Sequence, residues 1–241
     1  MNKAIDYITG NSKKTAGQNI PLPISINDIK LKLKYDIITT LPDESLILNY
    51  IDAGIRYFEN QTNLVIVDTL FDAYFSNFSN YHYNIFDNND YYNYNQYATN
   101  NYIILNEKRN TKQIISIDYI KTDNTNIVLQ NTDYRLKLDT CNPKILSNLK
   151  TSFPIDYKLD FNNKSYENIV HIQYKAGFSN NINEIPSDIK NFLISYAVYM
   201  YEACMSNNKN INDIPFYIKD MISDYITENK NCILNNNYIA I

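Results

Sequence analysis

The spacing of apolar residues changes twice along the chain, and this change limits the fold more than any other feature. Apolar side chains recur at steps of three and four in residues 25–63 and 176–226, whereas residues 64–175 favour alternation, as strands do. The helical stripes are too narrow to enclose separate cores, so we expect them to pack against one another. The sequence therefore predicts an α+β fold, with a small helical bundle built from both chain ends and an inserted antiparallel β subdomain.

The ends of the first two predicted helices are marked by residues that satisfy free backbone groups. Ser25, with Asp28 three positions later, has the spacing of a capping box, and a short helix should follow to about Lys34. A second helix begins at the acidic pair starting with Asp43. It should end near Asn63, because asparagine tolerates the left-handed conformation of a helix C-cap.

The second part of the bundle covers residues 176–226. Its first helix begins near Pro186 and is expected to end near Asn207. Pro215 begins a final short helix. Its apolar residues are expected on one side, and they are Tyr217, Ile218, Met221, Ile222 and Tyr225. Residues 227–241 follow as an Asn-rich C-terminal tail.

The predicted β subdomain covers residues 64–175. Residues 64–67 lead into a long alternating strand from Thr69 to Phe75, and the last clear strand contains Val170, Ile172 and Tyr174. Shorter strands are expected at 102–105, 115–119, 127–129, 134–138 and 144–149. Residues 79–101 are dense in Asn, Tyr and Asp and lack a core pattern, which indicates a long exposed loop. Residues 1–24 are polar and end in a Pro-containing stretch, which indicates an N-terminal arm.

Composition argues against several classes of function. The net charge of −4 is unlike the basic excess of a dedicated nucleic-acid binder. Cys141, Cys204 and Cys232 lie far apart, so neither a disulfide framework nor a zinc site is expected. Residues 1–18 lack a signal-peptide pattern, and no run of about 18 apolar residues occurs, so no membrane span is expected.

Neither histidine lies in a catalytic motif. A triad needs a histidine beside a nucleophile and an acid, whereas His82 lies in the Asn/Tyr-rich loop and His171 on the outward side of a strand. No Gly-x-Ser-x-Gly motif and no phosphate-binding glycine loop occur in the sequence. We therefore expect no enzymatic activity and no cofactor.

Residues 87–90 are similar to the opening of a calcium loop, but the match fails further on. Tyr92 and Ala98 occupy the positions where an EF-hand needs Gly and Glu. A looser cation site and a solvated loop are the two alternatives for this stretch, and no metal site is predicted.

Three stretches, taken in order, resemble the head–tail connector (adaptor or head-completion) family of tailed phages. They are the short helix at 25–33, the segment 43–63 with its acidic start and Leu46-Ile47 pair, and the strand and loop 172–178 followed by 185–190. The resemblance spans about residues 20–225. Asn63 stands where the family usually has glycine, and the loop 79–101 departs from the family pattern.

The resemblance implies a structural virion protein of a bacteriophage neck, made in the cytoplasm of the bacterial host. A ring of about twelve copies would lie below the portal, join head to tail and continue the channel through which the genome is ejected. The implied partners are other copies, the portal and the next neck or tail component. DNA would pass without specific binding, which suits a mildly negative wall. The resemblance is compatible with three positions in the neck, namely the adaptor ring, the stopper and another neck ring.

Two segments are candidate interaction sites. The loop 79–101 carries tyrosines, which offer a large contact area with few rotatable bonds, and we expect it to contact a neighbouring subunit or neck protein. The alternatives are a carbohydrate- or surface-binding β module and an unstructured loop tip. The tyrosines are Tyr81, Tyr83, Tyr91, Tyr92, Tyr94 and Tyr97.

The tail 227–241 is the second candidate. It is too polar to fold alone, but such a segment can become ordered as a strand or in a groove of a partner, and the resemblance implies the portal as that partner. Its apolar residues are Ile233, Leu234, Tyr238, Ile239 and Ile241.

Overall fold

The computed structural model describes most of the two helical regions and the principal strands. The residues described are 11–15, 18, 20–35, 44–75, 78, 102–105, 110–138, 143–148, 153–154, 169–206 and 214–237, without the side chains of 11–13, 102, 104 and 232–237.

Helices lie towards both ends of the described chain and most strands lie between them, so the predicted α+β class is confirmed. In chain order the elements are β1 (Asn11–Lys14), α1 (Ile26–Lys32), α2 (Glu44–Thr62), β2 (Thr69–Phe75), β3 (Tyr102–Ile104), β4 (Thr111–Ile120), β5 (Asn126–Val128), β6 (Tyr134–Lys137), β7 (Lys144–Ser147), β8 (Val170–Ala176), a 3-10 turn (Ile182–Glu184), α3 (Ser187–Met205), α4 (Phe216–Asp220) and α5 (Ser223–Asn237).

One compact unit combines Gln18–Thr69 with Ala176–Ile241 and contains α1 to α5. Its centre is the pair α2 and α3, which run in opposite directions. Phe58 faces Phe192 with ring centroids 6.2 Å apart, and a Cβ atom at Gly54 would lie 3.1 Å from Tyr196. Glycine at position 54 therefore allows the two helices to approach closely.

The apolar stripes of these helices form a common core, as burial of one face of each element requires. Its fully buried residues include Ile29, Ile47, Ile51, Phe58, Ile189, Phe192, Leu193, Ala197, Ile218 and Ile222. Ser25 caps α1, and Asn63 ends α2 with φ of 56°, so both predicted caps are confirmed.

The other unit combines Met1–Gly17 with Leu70–Lys175. It holds a five-stranded sheet in the order β1-β2-β8-β4-β5 and a three-stranded sheet in the order β3-β7-β6. The strand pairs with a described register are antiparallel. Along β2 and β8, buried residues alternate with half-buried ones, so each strand turns one face towards the core and one outwards.

The alternating strand predicted over residues 69–75 is β2, whereas residues 64–67, which the sequence assigned to the β subdomain, lie outside it. Leu64 and Ile66 instead belong to the core of the helical unit. The Ile66 N–H donates to a carboxylate oxygen of Glu59 at 3.3 Å, and the Ile66 C=O accepts from the Phe178 N–H at 3.1 Å. The backbone of this stretch is thus paired with a side chain and a loop instead of a strand ladder.

Both chain ends contain more regular structure than the sequence indicated. Residues 11–14, expected in the N-terminal arm, form β1 and pair with β2 at the edge of the sheet. The last helix, expected to be short, continues as α5 to Asn237, so most of the segment 227–241 is helical. The side-chain amide of Asn229 donates to the Gln61 C=O at 3.1 Å, which ties α5 to the last turn of α2.

Candidate functional site

A polar cluster lies on the outward face of the five-stranded sheet, centred on His171 of β8. The ring nitrogen Nε2 lies 3.0 Å from an Asp72 carboxylate oxygen on β2, and Nδ1 lies 3.1 Å from one of Asp118 on β4. The Tyr74 ring stacks on the imidazole with a centroid distance of 4.7 Å. The prediction that His171 faces outward is therefore confirmed, and its two acidic neighbours were not foreseen.

Asp72 collects three hydrogen bonds in this cluster. The Thr15 hydroxyl donates at 2.6 Å and the Gln173 amide at 3.1 Å, in addition to the contact with His171. Partial burial opposes ionisation of the carboxyl group, but these hydrogen bonds and the nearby imidazole together hold the pKa of Asp72 below its usual value of 3.8. Asp72 is therefore ionised at neutral pH.

The geometry of the cluster suits a structural role, in which side chains connect neighbouring strands, better than proton transfer to a substrate. A neutral imidazole has one N–H and can donate to one carboxylate, whereas the imidazolium ion can donate to both Asp72 and Asp118. A general base needs a free nitrogen directed at a substrate, but both nitrogens of His171 face carboxylates. The cluster thus links β2, β8 and β4 through their side chains.

Metal-binding geometry is not found in the described part of the chain, where no group of three His, Cys, Asp or Glu side chains could hold an ion. Cys204 is a half-buried free thiol, and the side chains of Cys141 and Cys232 lie outside the described residues. Within the same part of the chain, no helix combines the length and apolar character needed to cross a bilayer.

An exposed surface at the end of α1 combines apolar and basic side chains. Leu31 is 59% exposed and Tyr35 is 44% exposed, and Lys32 and Lys34 are exposed beside them. We call these four residues the α1 surface. The neighbouring Lys30 is instead buried, with its amino group 2.7 Å from the Glu44 carboxylate at the start of α2.

A second exposed surface lies where α4 passes into α5. Phe216 is 80% exposed, Tyr217 is 59% exposed and Met221 is 38% exposed, and the exposed Asp220 and Asp224 lie among them. We call these five residues the α4–α5 surface. A phenylalanine with four fifths of its surface in water is a marker of an interaction site when apolar neighbours surround it.

The exposure of this second surface corrects a sequence prediction. Tyr217 and Met221 were expected on the same side as Ile218 and Ile222, but only the two isoleucines are buried. The chain turns at Met221 between α4 and α5, so a single continuous stripe does not form. Tyr225 is half-buried, and its hydroxyl donates to Asp188 at 2.8 Å. Burial and this hydrogen bond raise the pKa of Tyr225.

The two interaction segments predicted from the sequence are not tested by these contacts. The loop tyrosines Tyr81, Tyr83, Tyr91, Tyr92, Tyr94 and Tyr97, together with His82, lie outside the described residues. The same holds for Tyr238, Ile239 and Ile241, whereas Ile233 and Leu234 lie within α5 with their side chains outside the description.

No protein-family model matches the sequence, and no curated protein matches it either. Solved structures with the same fold do occur. A chain in the neck of an empty gene transfer agent particle, computed with C6 symmetry, superposes with a TM-score of 0.64 at 14% identity, covering 89% of this chain and 94% of that one.

Two further structures of the native particle agree with this match. A chain in its neck, computed with C12 symmetry, gives a TM-score of 0.60 at 16% identity, and one in its virion gives 0.61 at 16%. Both matches cover 89% of this chain and 94% of the other. These likenesses establish a shared fold that extends over nearly the whole of each chain.

Proposed function

We propose that this chain is a structural, non-enzymatic subunit of the neck of a phage or phage-like particle. Copies of it form a ring below the portal, join the head to the tail and extend the channel through which DNA leaves. The adaptor, stopper and other ring positions of the neck each fit this proposal. The virion is accordingly its place of action.

The observation that carries this proposal is the extent of the shared fold. The match covers 94% of a chain from a neck structure and 89% of this one, so it includes residues from both compact units. A shared fold alone does not imply a shared function. Here the sequence independently resembles head–tail connectors in three stretches, and this agreement supports the proposal.

The proposed ring is supported by the symmetry of the neck structures that share the fold, which were computed with C6 and C12 symmetry. Closed rings are built by a heterologous interface, in which one surface of each copy meets a different surface of the next. A formal net charge of −4 suits a channel wall that releases DNA, because a basic wall would retain the phosphate backbone.

The proposed partners are the portal above the ring and the next neck or tail component below it. The test is electron microscopy of this chain co-expressed with the portal encoded in the same genome, with each protein expressed alone as a control. We expect a closed ring of this chain on the narrow end of the portal. Portals that stay bare beside free chain would contradict a position directly below the portal.

The carbohydrate- or surface-binding alternative rests on the tyrosines of the loop 79–101 and stays a prediction. Measuring self-association distinguishes this alternative from the ring proposal, since a lectin-like module does not need to form a closed ring. A chain that binds glycans and remains monomeric in the presence of the portal would favour this alternative.

A further inference from the structure

We propose that the ring is closed by the α1 surface of one copy docking onto the α4–α5 surface of the next. This inference rests on the proposed function, because it names the two faces that the proposed ring brings together. Its occupant is a second copy of this chain, and three properties of the two surfaces support that choice.

The first property is complementary charge. The α1 surface carries Lys32 and Lys34, and the α4–α5 surface carries Asp220 and Asp224, all four exposed. Lys219 lies beside the aspartates but is half-buried. Opposite charges on facing surfaces set the register of an interface and speed its formation.

The second property is exposed apolar area on both faces. Leu31 and Tyr35 on one surface and Phe216, Tyr217 and Met221 on the other each expose more than a third of their area. Aromatic residues and methionine are enriched at interfaces, where their burial supplies most of the free energy of association. The charges then add specificity to an association driven by apolar burial.

The third property is that the elements carrying the two surfaces contact different parts of α2. Lys30, next to the α1 surface, pairs with Glu44 at the first residue of α2. Tyr225, next to the α4–α5 surface, instead packs on Phe58 of α2 with ring centroids 5.7 Å apart.

The difference between the two surfaces matters for the symmetry of the assembly. When one surface of a copy meets an unlike, complementary surface of the next copy, the association is head-to-tail. A two-fold dimer would instead require one self-complementary surface. The arrangement in the helical unit therefore fits a cyclic ring.

The test uses charge reversal in the full chain. Variant A carries Lys32→Glu and Lys34→Glu, variant B carries Asp220→Lys and Asp224→Lys, and a third variant combines all four substitutions. Arg135→Glu with Lys137→Glu on β6 is the matched control, because it changes the net charge by the same amount as variant A at two exposed residues of the other unit.

We expect variants A and B to self-associate at least about tenfold more weakly than the wild type, since like charges then face each other. The variant with all four substitutions and an equimolar mixture of A and B should both form rings again, because opposite charges then face each other at each interface. In the mixture, native mass spectrometry with one isotope-labelled variant should find equal numbers of A and B in each ring. Recovery on mixing separates a lost interface from a misfolded chain.

Wild-type rings that are unaffected by variants A and B would overturn this inference and leave the proposed function standing. Loss of portal binding with intact rings would also overturn it, by assigning the surface to the portal. A wild-type chain that forms no ring, alone or on the portal, would overturn the proposed function together with the inference.

Discussion

The backbone of Gly177 lies directly against that of Asp68. A Cβ atom at position 177 would lie 2.5 Å from the Asp68 Cα and N atoms, and Gly177 has φ of 146°, which disfavours any other residue. Neighbouring hydrogen bonds hold the two segments together, since the Asp68 N–H donates to the Ser179 C=O at 3.4 Å. Close approach and backbone conformation therefore both require glycine here.

Replacing Gly177 with alanine should lower the free energy of unfolding by more than about 3 kcal/mol, because the new Cβ meets backbone atoms that cannot rotate away. Chemical denaturation of purified protein measures this loss. Gly54→Ala is the comparison variant. Its Cβ would meet side-chain atoms of Tyr196 and Leu193 at 3.1 and 3.3 Å, which can shift, and alanine gains up to about 1 kcal/mol of helix propensity, so this variant should lose less stability than Gly177→Ala. Equal losses in both variants would contradict the steric argument.

The capping box of α1 provides a second prediction. The Ser25 N–H donates to an Asp28 carboxylate oxygen at 2.7 Å, and the Asp28 N–H donates to the Ser25 hydroxyl at 3.3 Å. Ser25→Ala should cost about 0.5–2 kcal/mol of stability, as measured by thermal or chemical unfolding. Ser25→Thr retains the capping hydroxyl and should lose less than the alanine variant.

The stability of the wild type should depend on the ionisation of Asp72. Its pKa is held below the usual value of 3.8 in the folded chain, so the ionised carboxylate stabilises the fold above that pH. This contribution is lost as the pH falls through the folded pKa. Unfolding measured from about pH 5 down to about pH 2 should show a smaller decrease for Asp72→Asn than for the wild type. A decrease of equal size would contradict the prediction.

A fourth prediction concerns the C-terminal residues expected to bind the portal. Truncation after Ile226 would remove most of α5 and the Asn229 contact with Gln61, so loss of binding would then have two explanations. Deleting residues 238–241 is the cleaner change, because α5 ends at Asn237. We expect portal affinity to fall at an unchanged melting temperature, and unaltered affinity would exclude these residues.

The loop tyrosines can be tested without shortening the chain. Replacing Tyr81, Tyr83, Tyr91, Tyr92, Tyr94 and Tyr97 with serine should weaken binding to a neighbouring subunit or neck protein, because buried aromatic area is lost. Binding is measured by the yield of portal-associated rings in electron micrographs. An unchanged yield would indicate that the loop lies away from the assembly contacts.

Helices with clear end signals were predicted closely. The acidic start near Glu44 and the left-handed Asn63 bound α2 in both sequence and structure, because these residues act through local backbone groups. The end of α5 was missed, since its Asn-rich sequence carries little amphipathic signal and its position depends on contacts with α2 and α3. Such contacts join residues that are distant in sequence, and the spacing of apolar residues along the chain carries no information about them.

The same limit applies to the polar cluster and to the exposed surfaces. His171 could be assigned to an outward face, but its carboxylate neighbours come from positions 72 and 118, which only the order of strands brings together. The exposed Met221 shares its sequence pattern with the buried Ile222, and only the turn between α4 and α5 separates their environments.

The long segment Leu70–Lys175 begins in β2 and ends in β8, and these two strands are neighbours in the five-stranded sheet. Both connections are therefore made side by side, with Gly177 and Asp68 in contact just beyond them. A segment whose two ends already meet can be lengthened, shortened or exchanged over evolutionary time without rerouting the helices.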